Sequence, residues 1–80
     1  MDKEILNIVS RDFSKSDINE VIKELSTITL DHVMVESENN LRNTYISILK
    51  LSNGSLEQLT KYVKSAKQDF RDVIYWASKI

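Results

Sequence analysis

The chain has no cysteine, no proline and a single glycine among its 80 residues. Without cysteine it can form no disulfide framework, no thiol nucleophile and no Cys-based zinc or iron–sulfur site. The missing prolines and the lone glycine exclude collagen-like, linker-like and turn-dense all-β sequences. One glycine also cannot build a glycine-rich phosphate loop. A single histidine removes the usual multi-histidine metal sites and leaves one imidazole for catalysis. No run approaches the roughly 18 apolar residues of a membrane span. The start, Met1-Asp2-Lys3-Glu4-Ile5, lacks the basic and apolar regions of a secretory signal. A cytoplasmic setting without membrane contact is expected, and there the glycosylation tripeptide Asn53-Gly54-Ser55 is idle.

What is present suits a small helical globule. The chain is 41% hydrophobic and 29% charged, too apolar for disorder, because its burial can offset the entropy of ordering. Its length permits one domain, expected over residues 1–80. A single core of this size seldom supplies more than roughly 3–5 kcal/mol, which makes self-association or a bound partner a natural supplement.

Placed at about 100° per residue, the apolar positions sort into helical stripes. Ile5, Ile8 and Val9, flanked by Leu6 and Phe13, predict a first helix near 2–12. Asp17 reads as an N-cap with Glu20 at the reciprocal capping-box position. Ile18, Val21, Ile22, Leu25 and Ile28 follow at i, i+3, i+4 spacing, giving a second helix over about 17–28. Residues 30–36 lose the stripe, and loop, short extended segment and short helix all stay open there. The next helix starts at Ser37 or Glu38 and runs to Ser52, apolar over more than half its circumference, hence central. Asn53-Gly54 closes it, with Gly54 left-handed. Ser55 caps a fourth helix to about residue 67, with Leu56, Leu59, Val63 and Ala66 on one face and Gln58 at the capping-box position. Asp69 caps a fifth, with Phe70, Val73, Ile74, Ala77 and Ile80 as its buried stripe. The expected fold is all-α: a compact single-domain bundle of four or five short helices.

The net charge of −1 conceals a division. Residues 1–40 carry four basic and nine acidic side chains, net −5; residues 41–80 carry seven basic and three acidic, net +4. Either the basic half meets an acidic partner, or the two halves fold against each other and largely cancel.

Lys61, Lys64, Lys67 and Arg71 form the densest basic set, with Lys67 nearer the core edge than the other two lysines. Several cations on one side are what phosphate contacts require, so nucleic-acid binding is the alternative function. Asp69 and Asp72 stand where a recognition helix would meet the duplex and argue against sequence-specific readout.

Tyr75 points away from the buried stripe of the last helix, Trp76 lies at its border, and Tyr62 holds a border position on the helix before. Arg71 is one turn from Tyr75. Aromatic residues with an arginine dominate interface hot spots, which makes Tyr62, Arg71, Tyr75 and Trp76 the candidate partner-binding residues. The competing reading folds Trp76 and Tyr62 over the core edge.

His32 lies beside Asp31 with Glu36 four residues on, a weak metal or hydrolase cluster; a core-edge or solvated histidine explains it as well. Asp69 and Asp72 read as helix-start residues, not an acid–base pair. Ten serines occur, none in a nucleophile elbow. No catalytic residue, cofactor or metal is expected.

Two stretches, Ile48-Leu49-Lys50-Leu51-Ser52-Asn53-Gly54 and Ala66-Lys67-Gln68-Asp69-Phe70-Arg71-Asp72-Val73-Ile74-Tyr75-Trp76-Ala77, resemble a pattern of small all-helical bacterial proteins without assigned activity. There, a Leu-Lys-Leu-Ser/Ala-x-Gly turn precedes a helix and then Ala-Lys-x-Asp-Tyr/Phe-Arg-Asp-Val. The resemblance covers roughly residues 46–77. It implies a helical fold and a bacterial, cytoplasmic setting, and no catalytic residue. Together these readings predict a non-enzymatic protein–protein interaction or self-association module working through its C-terminal helices.

Overall fold

Helices begin in this chain where a side chain can accept a backbone N–H that the helix itself leaves unpaired. The computed structural model describes residues 1–34 and 37–80. The Asp2 carboxylate accepts the Ile5 N–H at 2.9 Å and opens α1, Lys3–Asp12. The hydroxyl of Ser37 accepts from Asn40 at 3.2 Å to open α3, Glu38–Ser52, and that of Ser55 accepts from Gln58 at 3.2 Å to open α4, Leu56–Gln68. Asp69 accepts from Arg71 at 3.0 Å and opens α5, Phe70–Ala77.

The remaining helix, α2 (Ile18–Ser26), departs from the expected capping box. Asp17 makes no side-chain cap, because its own backbone is already helical at φ −97°, ψ −13°. Capping needs an extended residue. Its carboxylate turns back instead to take the Ser14 hydroxyl at 3.0 Å. The end of α2 also falls two residues short of the predicted 28. Ser26 and Thr27 donate their hydroxyls to the carbonyls of Ile22 and Glu24, both at 2.7 Å, and so compete with the continuing helix. Ile28 nevertheless stays in the core, 1% exposed. A 3₁₀ turn, Leu30–His32, follows within the stretch left open by the sequence.

The all-helical expectation holds: among the described residues there are five α-helices and no strand. α3 lies at the centre, packed on α5, α4 and α1, while α2 closes against α1 and α4. Ile48 and Leu49 of α3 are fully buried and meet Ile5 and Val9 of α1, Val21 and Leu25 of α2, and Leu59, Val63 and Val73 of the C-terminal pair in one core. Two buried hydroxyls on α3 are satisfied locally: Thr44 donates to Asn40 at 2.7 Å and Ser52 to Ile48 at 2.6 Å. The expected stripe of α5 is shortened, for the helix stops at Ala77 and Ile80 is 70% exposed. No described helix is long and apolar enough to cross a membrane.

Closure of α3 involves two left-handed residues, not one. Asn53 has φ 48° and Gly54 φ 81°. A Cβ on Gly54 would also lie 2.5 Å from the backbone oxygen of Asp12, so the last turn of α1 occupies the space a side chain would need. Gly54→Ala therefore meets both a strained dihedral and a backbone clash. We expect it to lower stability by about 1–3 kcal/mol in urea unfolding; an unchanged midpoint would show that α1 does not approach this turn.

Tyr45 joins α3 to the end of α2, its hydroxyl donating to the Ile28 carbonyl at 2.7 Å. Tyr45→Phe should cost about 1 kcal/mol. Burial raises the Tyr45 pKa above its ordinary value. The folded state thus favours the neutral phenol, and that contribution is whole below about pH 10 and lost as pH rises through the folded value. The Phe variant should show a flatter stability curve above about pH 10.

Candidate functional site

The α4–α5 corner is built on one residue. Asp69, at φ −159° and ψ 104°, ends α4 and caps α5, so the two helices are adjacent without a loop. α4 turns Leu59, Val63 and Ala66 inward, and α5 turns Phe70, Val73 and Ala77 inward. Lys61 and Lys64 are left on the solvent side of α4, Tyr75 and Trp76 on that of α5, and Tyr62 at the seam. There the Tyr62 and Trp76 rings meet edge to face, centroids 6.2 Å apart at 60°. Trp76 remains 41% exposed and Tyr75 59% exposed. The Lys61 ammonium lies 5.7 Å from the Tyr62 ring centre, and the Lys79 ammonium 4.9 Å from that of Tyr75. The two readings of Trp76 meet halfway: it leans on Tyr62 at the core edge and still offers a large apolar area to solvent.

Arg71 is engaged otherwise than a free contact residue. Its Nε and Nη2 donate to the two carboxylate oxygens of Asp69 at 3.0 and 2.9 Å. This fork, together with the Arg71 N–H, holds the Asp69 carboxyl below its ordinary pKa, the guanidinium being the larger cause. Of the basic set, Lys61, Lys64 and Lys67 are exposed, and none forms an ion pair among the described residues. Lys67 is thus in solvent and not at the core edge, because the narrow Leu59–Val63–Ala66 stripe does not reach it.

A concavity of about 700 Å³ lies between α1, the end of α2, the 3₁₀ turn and the first half of α3. Ile5, Ile28, Leu41 and Tyr45 supply apolar walls; Asp2, Asp31, Glu38 and Arg42 supply the charge. Arg42 is held by two acids of the N-terminal helix, with its Nε 2.8 Å from Asp2 and its Nη2 on Glu4. One oxygen of Asp2 caps α1 and the other ties α1 to α3. The Ile5 N–H, and after it Arg42, hold the Asp2 carboxyl below its ordinary pKa. Here the acidic and basic halves pair their charges, the one such joint between them among the described residues. No local pattern announced it, because the partners are 40 and 38 residues apart.

His32 has a structural part. Its Nδ1 accepts the Thr29 N–H at 3.0 Å, which closes the 3₁₀ turn. Asp31 is exposed, and the third member of that cluster, Glu36, lies outside the described residues. Among the described residues no three His, Asp or Glu side chains converge as a metal site.

No protein-family model matches the chain, and neither a curated protein nor a solved structure matches it. The fold and its surfaces are therefore read on physical grounds alone.

Because Asp2 has a lowered pKa, its charge stabilises the fold above the unfolded value near 3.9, and the benefit is lost as pH falls through the folded value. Asn caps helices about as well as Asp, so Asp2→Asn removes the charge and spares the cap. Its unfolding midpoint should lie below the wild type at neutral pH and converge with it below about pH 4. A constant offset across that range would place the effect elsewhere.

Proposed function

We propose that the protein is a small, non-enzymatic interaction module that binds an acidic, apolar-centred protein surface through the α4–α5 corner. The observation that supports this reading is a pair of aromatic side chains, Trp76 and Tyr75, 41% and 59% exposed, with Lys79 over the Tyr75 ring and Lys61 over the adjoining Tyr62 ring. Exposing large aromatic rings is unfavourable for a lone monomer, whereas such rings, desolvated at the middle of a contact, are the usual anchors of binding. Lysines around them would steer an anionic partner and raise the association rate. Tyr62 backs Trp76 and fixes its ring. Arg71, bound to Asp69, adds orientation more than charge. The C-terminal sequence pattern supports a bacterial, cytoplasmic setting as part of the same reading.

The alternative, non-specific nucleic-acid binding through Lys61, Lys64, Lys67 and Arg71, draws on the same face. Three exposed lysines without ion-pair partners among the described residues favour it. The coupling of Arg71 to Asp69 and the charge of Asp72 at the start of α5 weaken it.

Trp76 is the single tryptophan of the chain, so its emission reports directly on this surface. Adding a helical glutamate–leucine amphipathic peptide should shift that emission to the blue, while a duplex oligonucleotide at low ionic strength should leave it unmoved. A response to the duplex that falls steeply with salt, with none to the peptide, would favour the alternative. No response to either would overturn both.

A further inference from the structure

The groove between α1, the 3₁₀ turn and α3 has chemistry opposite to that of the α4–α5 corner. Its walls are apolar at Ile5, Ile28, Leu41 and Tyr45. Its one cationic side chain among the described residues, Arg42, is already shared by Asp2 and Glu4, and these three charges leave an excess of one negative charge. Asp31 and Glu38 stand on the rim and enter no ion pair among the described residues. The groove is therefore anionic with an apolar floor. The corner is cationic with an aromatic centre, where Lys61, Lys64 and Lys79 likewise have no ion-pair partner among the described residues. The groove's volume of about 700 Å³ is ample for two aromatic side chains.

From this complementarity we infer that the groove receives the α4–α5 corner of a second copy of the chain, so that the molecules associate head to tail. The inference rests on the reading of the corner as a binding surface and names its partner. No residue belongs to both surfaces: the groove uses α1, the 3₁₀ turn and α3, while the corner uses α4, α5 and Lys79. One molecule can therefore donate its corner and accept another at the same time. Such a contact is heterologous, joining different patches, and either closes into a ring or continues as a chain. Trp76 and Tyr75 would lose their solvent exposure against the half-buried Leu41 and Tyr45. Lys61 and Lys79 would face Asp31 and Glu38, and added salt would weaken this part.

Two charge reversals on exposed positions separate the surfaces without touching the core. A groove variant carries Asp31→Lys with Glu38→Lys, and a corner variant carries Lys61→Glu with Lys79→Glu; circular dichroism checks that each keeps its helical content. In sedimentation velocity the wild type should form larger species as concentration rises, and fewer of them in high salt. Each variant alone should remain monomeric. Mixed in equal amounts, they should form a dimer and nothing larger, since one retains only a corner and the other only a groove. A groove variant that still self-associates alone would overturn the inference and indicate corner-to-corner pairing. A wild type that stays monomeric at every concentration would also overturn it. In that event a blue shift of Trp76 with the glutamate–leucine peptide would leave the corner standing as a site for another protein, and its absence would remove that reading as well. Should either variant lose its helical content, Tyr75→Glu replaces the corner variant and Leu41→Lys the groove variant, with the same outcomes decisive.

Discussion

Burial of the Ile48–Leu49 face of α3 is the interaction on which the rest of the structure depends. Both side chains are wholly removed from solvent, and every other helix contributes to the core around them. Losing one large buried aliphatic side chain costs about 2–5 kcal/mol, comparable to the roughly 3–5 kcal/mol that a core of this size supplies in total. The central helix is thus irreplaceable in energetic terms. Its position also decides the surfaces: α4 and α5 cover one part of it and α1 another, and the aromatic corner and the groove arise on those separate coverings.

Polar groups act mainly as joints between elements. Asp2 caps α1 with one oxygen and holds Arg42 of α3 with the other. Asp69 closes α4, opens α5 and fixes the Arg71 side chain. Tyr45 reaches from α3 to the carbonyl just past α2. Each joint uses one side chain for two purposes, which suits a chain too short to devote separate residues to them. The acids near helix starts are explained by this work and by the macrodipole, without recourse to catalysis.

The division of charge takes on a more definite form in three dimensions. Arg42 draws two acids of the N-terminal half onto α3, and this is where the halves neutralise each other. The remaining lysines on α4 and after α5 keep their charge in solvent, as do Asp31 and Glu38 beside the groove. Two surfaces of opposite sign, each with an apolar centre, are left on one small body. That arrangement connects the folding of the chain to the association proposed for it.

Sequence alone determined that the fold is helical and where most of the helices end, while their number, four or five, stayed open until the structure showed five. Apolar spacing near 3.6 residues and the local reach of Ser37, Ser55 and Asp69 are short-range facts, readable without a partner. Even there, Asp17 and Ile28 deceived, because a turn that begins early and hydroxyls that compete for carbonyls depend on actual backbone angles. Of the corner residues, Tyr62 and Trp76 were legible as border positions on helical wheels and Tyr75 as pointing outward, with core and surface left as competing readings of Trp76. Only the tertiary structure decided that Tyr62 and Trp76 touch, that Arg71 is spent on Asp69, and that Gly54 is needed by the backbone of Asp12 as much as by its own dihedral. The groove, and the Arg42 clasp at its edge, were invisible beforehand for a plain physical reason. Their parts come from segments some 40 residues apart, and nothing in local periodicity records which distant faces will meet.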